Sequence, residues 1–136
     1  MWDLSTPEAL KALASRLAPF MSPVDFIALH GDLGAGKTTF AQGLLPALGV
    51  TETVTSPTYQ LVHSYAGPLQ TIYHCDFYRI EPGEDEEIGL SEMCSAGAVL
   101  VEWPGAIRSL PPDRLEVHIE GEGGSRRVSL AGFGAW

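Results

Sequence analysis

Residues 31–38 restrict what this chain can fold into more than any other segment does. They spell Gly-Asp-Leu-Gly-Ala-Gly-Lys-Thr and fit the phosphate-binding pattern G-x-x-x-x-G-K-[ST] at every fixed position. The apolar run 26–29 before them is typical of a strand buried on both faces, and residues 37–48 after them have the apolar spacing of a helix. Strand, glycine-rich turn and helix in this order predict a phosphate-binding loop (P-loop).

The residue types in this segment account for the chemistry we expect of it. Glycines allow successive backbone N–H groups to point at phosphate oxygens, and the helix N-terminus adds a partial positive charge. Lys37 can reach the β and γ phosphates of a nucleotide, and Thr38 can offer its hydroxyl to Mg²⁺. The residues expected to contact the nucleotide here are Asp32, Leu33, Gly34, Ala35, Gly36, Lys37, Thr38 and Thr39.

The remaining pattern predicts an α/β fold with a mixed parallel and antiparallel sheet flanked by helices. A helix is expected over residues 6–18, with Thr6 as its N-cap, and a short helix within the acidic stretch 81–92. Strands are expected over residues 59–65 and 69–75 as one hairpin, over 98–101 as a buried strand, and over 115–119 and 127–130 as a second hairpin. Residues 1–136 are expected to form one P-loop NTPase-like domain.

Two carboxylates stand where the acidic partner of a P-loop is needed. Glu102 follows four apolar residues, as it would at the end of a central strand, and Asp76 ends a less apolar strand. Either side chain could hold Mg²⁺ or orient the attacking water, and the spacing leaves both assignments open. An exposed strand end for Glu102 and a turn residue for Asp76 are the structural alternatives.

Several other residues have a structural and a functional interpretation. Trp103 could pack beside the nucleotide or in the core, and Arg127 could reach a phosphate or pair with an acid. The segment 55–59 resembles the loops that respond to a γ-phosphate, and it is equally a plain turn; it consists of Thr55, Ser56, Pro57, Thr58 and Tyr59. The four histidines lack metal-ligand spacing along the chain and are expected to be structural or surface residues; they are His30, His63, His74 and His118.

Charge and composition exclude several classes of protein. The chain has 8 basic and 17 acidic residues, a net charge of −9, so strong direct binding to nucleic acid is not expected. It contains no asparagine, which disfavours a GTPase that recognises guanine through N-K-x-D. No apolar run approaches the ~20 residues that span a bilayer, and the two cysteines, without a C-x-x-C, suit a reducing compartment. We therefore expect a cytoplasmic protein that does not associate with membranes.

Four blocks, in order, resemble the bacterial TsaE (YjeE-type) ATPases. They are residues 31–39, the Ser-Pro-Thr-Tyr of 56–59, the Asp-Phe-Tyr-Arg of 76–79 and the Leu-Val-Glu-Trp-Pro of 100–104. The combination of the Glu-Trp-Pro block with the Ser-Pro-Thr loop is far more specific than the P-loop alone. One departure is Leu10, at a place where the first helix of the family often carries a threonine near the nucleotide.

The resemblance implies an ATP-binding subunit with weak ATPase activity of its own. It would join the subunits TsaD and TsaB, which transfer a threonylcarbamoyl group to the adenosine beside the tRNA anticodon, and its ATP hydrolysis would reset the complex. Matching positions imply that Lys37 binds phosphates, that Thr38 and Glu102 hold Mg²⁺, and that Asp76 orients water. They also place Trp103 beside the nucleotide and make residues 55–59 a switch-like loop. A small-metabolite P-loop kinase and a nucleotide-gated binding module are the alternatives from other classes.

Overall fold

The computed structural model describes residues 2–4 (backbone only), 6–21, 25–32, 36–54, 61–121, 126–134 and 136. The strands are β1 (Trp2–Leu4), β2 (Phe26–His30), β3 (Val62–Ala66), β4 (Thr71–Asp76), β5 (Gly97–Glu102), β6 (Arg114–Glu120) and β7 (Arg126–Phe133). The helices are α1 (Pro7–Ser15), α2 (Lys37–Ala47), α3 (Glu84–Ile88) and α4 (Leu90–Ala96), with 3₁₀ turns at Ala18–Phe20 and Pro104–Ala106.

Within these ranges the strands form one mixed sheet in the order β1-β7-β6-β2-β5-β4-β3. The strand β2 lies parallel to both β5 and β6, and β4 lies parallel to β5. The hairpins β3–β4 and β6–β7 are antiparallel, as the sequence predicts. The expected α/β fold with a mixed sheet is thus confirmed. The three-residue strand β1, which pairs antiparallel with β7, was not predicted because it is too short to show a pattern.

The alternation of side chains along β2 shows why its sequence is apolar throughout. Ile27 and Leu29 pack on the face covered by α1 and α2, whereas Phe26 and Ala28 pack on the face covered by α4. A strand buried on both faces has no polar side, so the run carries no alternating pattern. The sheet therefore separates two apolar cores, and β2 lies at the centre of both.

Helix boundaries follow local signals. The side chain of Thr6 accepts a hydrogen bond from the backbone N–H of Ala9 (3.1 Å) at the start of α1, which confirms the expected N-cap. Gly49, with φ of +97°, follows the end of α2 in the left-handed conformation that favours glycine. No helix in the described part of the chain combines the length and the apolarity that crossing a membrane requires.

Candidate functional site

The predicted P-loop falls between the carboxyl end of β2 and the first residue of α2. Gly36 occupies the N-cap position of α2 with φ of +119°, a conformation that L side chains rarely adopt. A Cβ on Gly36 would also lie 2.7 Å from Leu10 Cδ2, so α1 packs directly against the loop. Three predicted contact residues lie outside the described part of the chain; they are Leu33, Gly34 and Ala35.

Lys37, the first residue of α2, is buried although it carries a charge. Its Nζ donates hydrogen bonds to the carbonyl oxygens of Gly31 (2.6 Å) and Asp32 (2.9 Å). The same atom lies 4.1 Å from the centroid of the Trp103 ring, within the range of a cation–π interaction. Burial lowers the pKa of Lys37 from its ordinary value of 10.5, and the carboxylates of Glu102, Asp76 and Asp32 act in the opposite direction. The ammonium is thus held against the first two residues of the predicted P-loop.

Thr38 and Glu102 meet beside this lysine, although 64 residues separate them in sequence. The Thr38 hydroxyl donates toward both carboxylate oxygens of Glu102, Oε1 at 3.3 Å and Oε2 at 3.2 Å. Two ligands at adjacent corners of a Mg²⁺ octahedron with ~2.1 Å bonds lie about 3 Å apart. The hydroxyl and the carboxylate therefore fit a magnesium site without a large movement of either side chain.

His74, on β4, completes this cluster from the other side. Its Nε2–H donates to Oε2 of Glu102 at 2.6 Å, and the imidazole is fully buried. Such a hydrogen bond fixes the orientation of a carboxylate before any cation binds. The sequence predicts a structural or surface role for His74, and the structure places this residue against Glu102. The one available signal was its position two residues before Asp76, on the same face of a strand.

Asp76 and Glu102 occupy paired positions at the carboxyl ends of β4 and β5. Asp76 is buried, and its Oδ1 accepts a hydrogen bond from the backbone N–H of Tyr78 (3.0 Å). Both carboxylates are also close enough to Lys37 to affect its pKa. The structure therefore brings both predicted acids to one edge of the sheet, with Glu102 the one bonded to Thr38.

Trp103 turns the chain sharply after β5. It has φ of +60° and ψ of +63°, a left-handed conformation that is uncommon for a bulky residue and costs energy. This turn places the indole over the ammonium of Lys37. The centroid of the indole also lies 4.7 Å from the centroid of the Tyr78 ring. The indole is half-buried rather than part of either apolar core. A strained residue packed on the P-loop lysine is a feature of a site.

A cavity of about 530 Å³ opens next to the first residues of the loop. Its walls are the carboxyl ends of β2 and β6 and the turn after β5; the lining residues are His30, Gly31, Asp32, Trp103, Pro104, Gly105, His118, Ile119, Glu120 and Gly121. Its volume is in the range of small-molecule sites. The cavity therefore extends from the first residues of the predicted P-loop toward β6.

The remaining predicted site residues are placed as follows. Thr39 is half-buried in the first turn of α2. Arg127 is exposed on β7, at the position paired with Glu120, so it lies near the far wall of the cavity, and a contact with phosphate stays a prediction. The switch-like segment lies outside the described residues; it comprises Thr55, Ser56, Pro57, Thr58 and Tyr59.

Comparison with known proteins identifies relatives over nearly the whole chain. Residues 4–128 match the sequence model of the family described as "Threonylcarbamoyl adenosine biosynthesis protein TsaE". The protein named "tRNA threonylcarbamoyladenosine biosynthesis protein TsaE" from Bacillus subtilis is 42% identical over 128 residues, covering 93% of this chain and 80% of the relative. The protein of the same name from Streptomyces coelicolor is 37% identical over 135 residues, which cover 92% of this chain and 91% of the relative. The crystal structure of Bacillus subtilis YdiB superposes with a TM-score of 0.80 at 36% identity, covering 98% of this chain and 84% of that one.

Proposed function

The chain belongs to the TsaE family, and from that premise we propose that it binds and hydrolyses ATP in the formation of threonylcarbamoyladenosine in tRNA. The observation that carries this proposal is the meeting of Lys37, Thr38 and Glu102 at the end of the P-loop. A nucleotide with its magnesium ion requires a cationic side chain to bind the phosphates, and a hydroxyl and a carboxylate to bind the metal.

Thr38 and Glu102 would hold the magnesium ion, and Lys37 would bind the phosphates. When bound, Mg²⁺ neutralises charge on the phosphate oxygens and lowers the cost of phosphoryl transfer. Lys37 would exchange its hydrogen bonds with the carbonyl oxygens of Gly31 and Asp32 for bonds to phosphate. We assign to Asp76 the orientation of the attacking water, since its carboxylate stands beside Glu102 at the same sheet edge.

The nucleoside would occupy the cavity next to the loop. Because Gly31 and Asp32 both begin the loop and line this cavity, a nucleotide with its phosphates on the loop can extend into it. The indole of Trp103 forms part of the wall and contacts Lys37, so it would lie beside the bound nucleotide. Trp103 would then report nucleotide binding through its fluorescence.

We infer that the protein acts through a complex with the TsaD and TsaB subunits and hydrolyses ATP weakly when alone. The net charge of −9 supports a role for partner subunits in tRNA binding, because an acidic chain is poorly suited to bind tRNA itself. The partners would bind the tRNA and carry out the transfer, while hydrolysis in this subunit would reset the complex.

Nucleotide binding is tested by calorimetry with MgATP on the purified chain and on Lys37→Ala. Hydrogen bonds to charged groups contribute roughly 1.5–3 kcal/mol, so affinity should fall by about 10-fold to 100-fold. The only other lysine provides the control, since Lys11 lies on α1 and Lys11→Ala should bind as the unaltered chain does. Equal affinity of the Lys37 variant and the unaltered chain would contradict the assigned role.

The cellular role is tested by nucleoside analysis of tRNA from cells that lack this protein. Threonylcarbamoyladenosine should be depleted, and the unaltered chain should restore it whereas Lys37→Ala should not. A normal level in the deleted strain would refute the proposed function. Phosphoryl transfer to a small metabolite by the chain alone would support the kinase alternative.

A further inference from the structure

We propose that His30, Glu116 and His118 form a binding site for a divalent transition metal such as Zn²⁺ on the wall of the cavity. One ligand atom from each residue lies within 4.8 Å of the others. Two imidazoles and one carboxylate are a ligand set that zinc uses where it keeps an open coordination position. This site is separate from the Thr38–Glu102 pair, which offers oxygen ligands alone.

The sheet brings these residues together although the sequence separates them by up to 88 positions. His30 ends β2, and His118 is its paired residue on the parallel neighbour β6. Paired residues on parallel strands project to the same face, and the two rings stack with centroids 4.3 Å apart and planes 5° apart. Because the nitrogen lone pairs lie in the ring planes, one ring would rotate for both imidazoles to face one ion. Glu116, two residues before His118, shares that face.

One oxygen of Glu116 faces both imidazoles. Oε1 lies 2.9 Å from His30 Nε2 and 3.9 Å from His118 Nε2. The other oxygen, Oε2, accepts a hydrogen bond from Nε of Arg114 at 2.7 Å, which orients Oε1 toward the histidines. Ligating carboxylates and imidazoles are held in this way by outer partners in metal sites.

Access from solvent suits a metal. His30 and His118 both line the cavity, so an ion can reach the two imidazoles from it.

The test is titration of the nucleotide-free full chain with Co²⁺, followed by its visible absorption. One Co²⁺ per chain should bind, Zn²⁺ should displace it, and excess Mg²⁺ should not, because imidazole ligands favour transition metals. His118→Ala and Glu116→Gln should each lower the affinity at least about 10-fold, since even changes to outer partners of metal ligands have effects of that size. His63→Ala, which alters a histidine on β3, is the matched control and should bind as the unaltered chain does.

Two results would overturn the proposal. The first is that His118→Ala and a second variant, His30→Gln, bind Co²⁺ with the affinity of the unaltered chain, while circular dichroism shows that both variants are folded. The other is displacement of Co²⁺ by excess Mg²⁺, which would place the ion at Thr38 and Glu102. Because no nucleotide is present, either result leaves the proposed ATPase function untouched.

Discussion

At the scale of single residues, Glu102 connects the first turn of α2 with the neighbouring strand β4. It accepts hydrogen bonds from Thr38 on the P-loop helix and from His74 on the neighbouring strand. It is buried together with Lys37, which limits the screening of its charge by solvent. A buried carboxylate that two hydrogen-bond donors hold in place is preorganised to bind a cation.

Replacing Glu102 with Gln should preserve the fold and impair Mg²⁺-dependent ATP hydrolysis. Loss of a few kcal/mol of charge stabilisation lowers a rate by about 100-fold or more. Hydrolysis by the assembled complex measures the effect, and circular dichroism checks the fold. Glu87→Gln, an exposed acid on α3, should hydrolyse ATP normally. A Glu102 variant with full activity would exclude the proposed role in holding the metal.

The two cysteines differ in their surroundings and should differ in reactivity. Cys75 is fully buried, which raises the pKa of its thiol to about 12, so its thiolate fraction at neutral pH is about 1000-fold below that of an ordinary thiol. Cys94 is half-buried, and burial and Glu86 raise its pKa as well. One thiol per native chain should react with a maleimide, and Cys94→Ser should abolish this reaction. Equal labelling of both native thiols would contradict this prediction.

At the scale of elements, α1 and α2 pack closely enough to require a glycine between them. A Cβ on Gly43, in the middle of α2, would lie 2.4 Å from the carbonyl oxygen of Lys11 and 2.5 Å from its Cα. Both are backbone atoms, so the helices would have to separate. Because α2 begins at the P-loop, this packing also positions Lys37 and Thr38.

Gly43→Ala should therefore destabilise the protein, although alanine is favoured over glycine in helices by about 1 kcal/mol. Overpacking of this kind costs about 1–3 kcal/mol, which urea denaturation can measure. Gly105→Ala is the matched control: a Cβ there meets nothing within 4 Å, and the free energy of unfolding should hardly change. Greater stability of the Gly43 variant would show that the helices are not in close contact.

At the scale of the whole molecule, the excess of acidic residues governs what the surface can bind. Because the chain has 17 acidic and 8 basic residues, the isolated protein should bind tRNA with a dissociation constant above about 10 µM at physiological salt. Filter binding measures this affinity. Neutralising two exposed acids, Glu87→Gln with Glu92→Gln, should strengthen binding at low salt. Sub-micromolar binding by the isolated chain would assign tRNA recognition to this subunit.

The local sequence by itself determined most of the elements, including the strand and the helix on either side of the glycine pattern. The glycine pattern before Lys37, the apolar run of β2 and the cap at Thr6 depend on neighbours in the chain, so they can be predicted from local spacing. The two acids at strand ends were also found in this way. The strand β1 was missed because its pairing partner, β7, lies at the other end of the chain.

The tertiary structure alone decided which distant side chains meet. Parallel pairing of β4 with β5 brought His74 to Glu102, and parallel pairing of β2 with β6 brought His30 to His118. Such contacts depend on strand order and register, which arise from the packing of the whole sheet and leave no spacing signal along the chain. The strand–turn–helix unit around the glycine pattern was therefore evident from the sequence, whereas the contact of His74 with Glu102 and the histidine pair on the cavity wall required the fold.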